Sequence, residues 1–125
     1  MKKISIVLVL LIGILSCSSN NNNLTITAAC DVSNPVEELA WLKAEIERRE
    51  QSTSTDIQYC YITQAILNNE TIFFYKDCNP LIDKVIAPPL DCEGNALELN
   101  SNLFSEIENE QIIWQGANFS CDVNL

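Results

Sequence analysis

Ile57-Gln58-Tyr59-Cys60-Tyr61-Ile62 and Thr71-Ile72-Phe73-Phe74-Tyr75 stand on either side of Asn68-Asn69. β-Branched and aromatic residues dominate both runs, at the density a pleated and partly buried strand requires. Asparagine tolerates the backbone of a tight turn, so the two runs form the arms of a hairpin. Thr63 to Leu67 leaves a second option open, a helical turn ahead of Asn68.

Upstream the apolar period changes from two to between three and four. Asn34-Pro35-Val36-Glu37 has the chemistry of a helix start. Asn34 can cap free amides, Pro35 suits the first helical position, and Glu37 can complete a capping box. Val36, Leu39, Leu42 and Ile46 then line one stripe, and Glu45 and Arg49 lie four apart in a favourable order. The spacing predicts a helix over 35–50, ended by Gln51-Ser52-Thr53-Ser54-Thr55.

Downstream, Cys78-Asn79-Pro80 breaks the hairpin. Lys84-Val85-Ile86 is a third candidate strand, stopped by Pro88-Pro89. Asp91-Cys92-Glu93-Gly94-Asn95 makes a tight turn into Ala96-Leu97-Glu98-Leu99, a fourth. Leu103 to Asn109 has the apolar spacing of a short helix, and Gln111-Ile112-Ile113-Trp114-Gln115 closes the sheet. The expected class is α+β: an N-terminal amphipathic helix packed on a small antiparallel sheet of four to five strands, supported by disulfides.

Composition bounds the function. The chain has 125 residues, enough for one small domain. It contains no histidine, which removes the commonest general base and a common zinc ligand. The net charge of −10 argues against nucleic acid, whose phosphates call for clustered Lys and Arg.

At the amino terminus Lys2-Lys3 precede an apolar run from Ile4 to Leu15. That is the pattern of a secretory signal, and it is too short to span a bilayer, which needs about 20 apolar residues. Ile14-Leu15-Ser16-Cys17 resembles the lipobox of bacterial lipoproteins. The resemblance implies cleavage before Cys17 and lipidation of its sulfur by a diacylglycerol, with acyl chains such as palmitate holding the protein on a membrane. The expected organisation is a signal peptide at 1–16, a lipidated Cys17 with a flexible Ser/Asn tether over 17–29, and one domain over 30–125. Removal of Lys2 and Lys3 takes the charge from −10 to −12, so the body should stand away from anionic headgroups, outside the cytoplasm.

Asn34-Pro35, Trp41-Leu42-Lys43, Gln58-Tyr59, Tyr61, Asp91-Cys92-Glu93-Gly94-Asn95 and Ile112-Ile113-Trp114-Gln115 resemble segments of a family of small lipoproteins from Bacteroidetes-type bacteria. The resemblance implies an envelope location and a similar fold, and no activity. The hairpin is longer here, and the family's cysteine-rich strand end is reduced to Cys78, so no disulfide pattern follows from it.

Five cysteines remain once Cys17 is acylated. Small exported domains use disulfides to offset a small core. The expected bridges are Cys78 with Cys92 and Cys30 with Cys121, leaving Cys60 over, with Cys60–Cys78 as a rival. No Cys-x-x-Cys pair is present, so a zinc site is not expected, and no base stands ready to activate a thiol. Asp91, Glu93 and Asn95 resemble a fragment of a calcium loop, but the full EF-hand spacing fails and a glycine-bearing turn explains them more simply. No cofactor is expected.

Trp41, Tyr59, Tyr61, Phe73 and Tyr75 are the candidate interaction surface, if the helix covers one face of the sheet and leaves an aromatic face open. The function expected is that of a lipid-anchored, non-catalytic interaction module of the cell envelope, with a basic protein or peptide as its partner. A small-ligand or calcium binder is the alternative from another class. A small hydrolase working through paired carboxylates is a third, for which acids such as Glu37-Glu38 or Glu106 and Glu108 are more simply explained as solvated faces.

Overall fold

The computed structural model describes residues 24–83, 86–98, 100 and 102–125. The expected signal, Cys17 and the Ser18–Asn23 run lie outside the described residues.

Strands β1 (Cys60–Leu67) and β2 (Glu70–Asp77) form the hairpin. Asn68 and Asn69 both take the left-handed backbone, with φ of 52° and 65°, in a two-residue connection whose twist matches that of its strands. Leu67 pairs with Glu70 and Cys60 with Asp77, so Thr63 to Leu67 is strand rather than helix. β3 (Ile107–Gln115) pairs antiparallel with the other edge of β1, giving the order β2-β1-β3. Its register shifts twice, between Ile62 and Thr63 and between Gln64 and Ile66.

The sheet therefore has three strands, which corrects the expected four to five. Leu90 bridges Phe73 on one side and Ala96 on the other, and the pairing goes no further. Pro88 and Pro89 have no N–H to continue a ladder along β2, and Gly94 turns the chain back before 96–98 can run as a strand. Of the expected third strand, Ile86 is irregular and exposed, and Lys84 and Val85 lie outside the described residues. The expected helix over 103–109 is one 3-10 turn, Leu103–Ser105, because β3 has already begun at Ile107.

The helix is also corrected. A single turn, α1 (Pro35–Glu38), is separated from α2 (Ala40–Glu50) by Leu39, whose ψ of 108° is extended. A continuous helix would carry Trp41 off the apolar stripe. With the break, Val36, Leu39 and Trp41 all pack against the core. Asn34 makes no side-chain cap; Glu38 reaches back instead and accepts hydrogen bonds from the Asn34 amide (2.7 Å) and the Ser33 hydroxyl (3.0 Å).

β1 is buried on both sides, from Tyr61 through Ala65. On the helix side Leu42 and Ile46 of α2 pack with Ile62, Phe73, Ile113 and Trp114. The opposite side holds a smaller cluster of Ala65, Ile72, Phe74 and Leu103. Thr27, ahead of Cys30, also docks on the helix side, accepting hydrogen bonds from the Gln64 and Gln111 amides.

Two disulfides fasten these layers, Cys30–Cys92 and Cys78–Cys121, a pairing that replaces the expected one. The exchange has a local cause. The Trp41 indole donates to the Cys92 carbonyl at 2.7 Å, and Gly94 lies under the ring, so the turn is carried to the start of the helix, where Cys30 waits. Cys78 leaves β2 beside Tyr59, whose carbonyl accepts from the Cys78 amide, and the returning tail places Cys121 there, the Ser120 amide bonding to the Gln58 carbonyl. Cys60 stays free. These bridges fit an oxidising, non-cytoplasmic location. No helix among the described residues is long and apolar enough to cross a membrane.

Each bridge closes a long loop, of 62 and 43 residues, and contributes about 4 kcal/mol by the loop-entropy account. Peptide mapping of the unreduced protein should recover Cys30–Cys92 and Cys78–Cys121. The double variant C30S/C92S should lose about 2–5 kcal/mol of stability while C60S stays near the parent. Gly94→Ala should cost about 1–3 kcal/mol, since it adds a methyl group at φ +82° and 2.8 Å from the Trp41 ring.

Candidate functional site

The two-residue hairpin turn decides which side chains share a face. Because Leu67 meets Glu70, Tyr61 faces Lys76, Thr63 faces Phe74 and Ile62 faces Tyr75. Phe73 and Tyr75 therefore lie on the helix side, across the sheet from Tyr61.

Of the five aromatics expected on an open face, only Tyr61 presents its ring there. Phe73 is fully buried under the helix, in a T-shaped contact with Trp41 whose ring centres are 5.4 Å apart. Tyr75 lies beneath the Arg49 guanidinium, 4.6 Å from the ring centre. Tyr59 sits half-buried in the 3-10 turn Thr55–Tyr59 that precedes β1.

The open face carries a different set. Phe74, Lys76, Phe104 and Glu110 join Tyr61 in lining a groove of about 590 Å³. Ile86 and Ala87 form one wall, and the tail from Asp122 to Leu125 another. Phe104 stacks over Phe74, with ring centres 6.4 Å apart and planes 26° apart. Lys76 passes 5.4 Å from the Phe74 centre and ends in an ion pair with Glu110, which also accepts the Thr63 hydroxyl at 2.6 Å. Tyr61 rests edge-on against Phe119 in the tail. Burial, then the neighbouring Glu110 and Asp77, raise the Tyr61 hydroxyl above its ordinary pKa and keep it neutral. Ile86, Phe104 and Leu125 are each at least half exposed.

The signal that would have located this set is parity. A two-residue Asn-Asn turn pairs odd positions of one arm with even positions of the other, which places Tyr61 with Phe74 and Lys76. Phe104 had no such marker, since it enters from outside the sheet.

Other candidates have structural duties. Asp91 Oδ1 accepts the amides of Glu93 (2.9 Å) and Asn95 (2.8 Å), and its Oδ2 accepts the Asn95 side-chain amide (3.1 Å). Both oxygens are engaged in building the turn. The Asn95 amide leads the set of hydrogen bonds that hold the Asp91 carboxyl below the ordinary carboxylate range. Glu37 pairs with Lys43, Glu38 holds the helix start, and Glu106 and Glu108 are exposed. Among the described residues no group of three His, Cys, Asp or Glu side chains is placed to hold a metal ion. The Cys60 thiol lies 3.7 Å from the Asp56 carbonyl and from Asp77 Oδ2; burial first, then Asp77, raise its pKa, the opposite of an activated nucleophile.

No protein-family model matches the chain, and searches of curated proteins and of solved structures found no match either.

The depressed Asp91 carboxyl sets a pH dependence. Its contribution to stability is complete above the ordinary carboxylate range and is lost as the pH falls through the lowered folded value. In acid titrations followed by thermal unfolding, Asp91→Asn should flatten the acid limb. Millimolar calcium should leave the parent Tm unchanged, and a rise reversed by chelator would put a cation on the turn.

Proposed function

We propose that this protein is a lipid-anchored lipoprotein of the bacterial cell envelope, and that its disulfide-bonded domain is a non-catalytic interaction module working through the open face of the sheet. The observation that carries the proposal is the groove. Phe104, Ile86 and Leu125 expose apolar surface around it although the chain has a net charge of −10, and a folding role does not require that exposure.

The anchor is supported by the order of features in residues 1–17: two lysines, an apolar run, Ser16 and Cys17. A small disulfide-bonded domain belongs with such an export signal. The raised Cys60 thiol and the structural engagement of Asp91, Glu37 and Glu38 favour binding over catalysis.

Cys17→Ser should leave unprocessed precursor or release the protein from the membrane fraction; full retention would remove the anchor. A photoreactive residue in place of Phe104 should form one dominant adduct with an envelope protein, whereas the same residue in place of exposed Glu70 should not. Equal labelling from both positions, or none from 104, would remove the interaction-module proposal.

A further inference from the structure

We propose that the groove takes an extended peptide segment in which an apolar side chain is flanked by lysine or arginine; this deepens the interaction-module function and rests on it. The apolar requirement comes from the floor and walls. Phe74 lies under Phe104, and Ile86 and Val123 stand to the sides, so an inserted aliphatic or aromatic side chain is shielded from water on several sides.

The cationic requirement comes from the rim. Asp77, Glu110 and Asp122 surround the groove, and among the described residues Lys76 is its one basic lining residue, already held by Glu110. The same holds across the described surface. Lys43 is paired with Glu37 at 3.3 Å, and Arg48 and Arg49 both bind Glu45 at 2.6 Å. Every lysine and arginine among the described residues thus has a carboxylate partner. To use these side chains an anionic ligand would have to break one of the pairs, while a cation meets exposed Asp122, which makes no ion pair among the described residues. The half-exposed face of Phe104 offers a further place for a guanidinium to stack.

The form of the groove favours a chain over a small molecule. Small-molecule pockets bury most of their ligand, whereas three of the apolar lining residues here are half exposed or more. The floor crosses all three strands, from Glu110 through Tyr61 to Phe74 and Lys76, a path suited to an extended segment.

The test uses the full-length protein and three fluorescent peptides of equal length, read by anisotropy. One carries a central leucine flanked by lysines, one replaces the lysines with glutamates, and one replaces the leucine with serine. The first should bind, weaken with added salt, and exceed each of the others by roughly tenfold or more. Phe104→Ser and Asp122→Lys, both at exposed positions, should each weaken it by about tenfold while the unfolding temperature and both disulfides stay as in the parent. Equal binding of the lysine and glutamate peptides overturns the proposal, as does binding unaffected by both variants or no binding at all. If the peptides fail while the photoreactive residue at 104 still captures one envelope protein, the interaction module stands and the peptide specificity falls.

Discussion

Asn68 and Asn69 hold the rest of this molecule to one arrangement. Both residues sit in the left-handed region, in a connection of only two residues, so the arms of the hairpin meet in a single register. That register sends Ile62 and Phe73 toward the helix and Tyr61, Phe74 and Lys76 away from it. A connection longer by one residue would exchange those sets on one arm. The helix would then have to bury a lysine, and the groove would lose its floor. The hydrophobic core and the groove are thus two sides of one choice made at the turn.

The layers on either side of β1 are thin, and each is secured by a different bridge. On the helix side, Cys30–Cys92 joins the approach to α1 to the turn beneath Trp41, where the indole both covers Gly94 and bonds to the Cys92 carbonyl. On the far side, Cys78–Cys121 holds the tail against the end of the hairpin. A domain this small buries a limited share of its apolar surface, and covalent closure of two long loops offsets that deficit.

Local chemistry was legible in the sequence; tertiary choices were not. The asparagine pair, the strands through Cys60–Ile62, Thr71–Tyr75 and Gln111–Gln115 and the end of the helix at Gln51 follow from turn propensity and periodicity, and the structure has them, whereas Ile57-Gln58-Tyr59 lies in a 3-10 turn instead of the expected strand. The kink at Leu39 comes from Trp41, whose partner Cys92 is 51 residues away, and no local pattern marks it. The sheet stops at three strands among the described residues because Pro88-Pro89 removes two donors where a ladder would have to continue. Four cysteines were identified as bridge candidates, but their partners depend on where the turn at Asp91 docks. At the site, Tyr61 is legible, while residue type alone groups Phe73 and Tyr75 with it and the parity of the hairpin puts them on the other face. Phe104 comes from a segment with little regular structure, so only the folded chain reveals its place above Phe74.

The tail from Asp122 to Leu125 forms a wall of the groove, and it emerges directly from Cys121. A covalent bond made only under oxidising conditions therefore stands between the newly synthesised chain and a finished groove. While the thiols are reduced, that wall lacks its fastening. The shape of the groove is thus tied to the redox state of its surroundings, although no groove-lining side chain other than Cys78 takes part in the bridge.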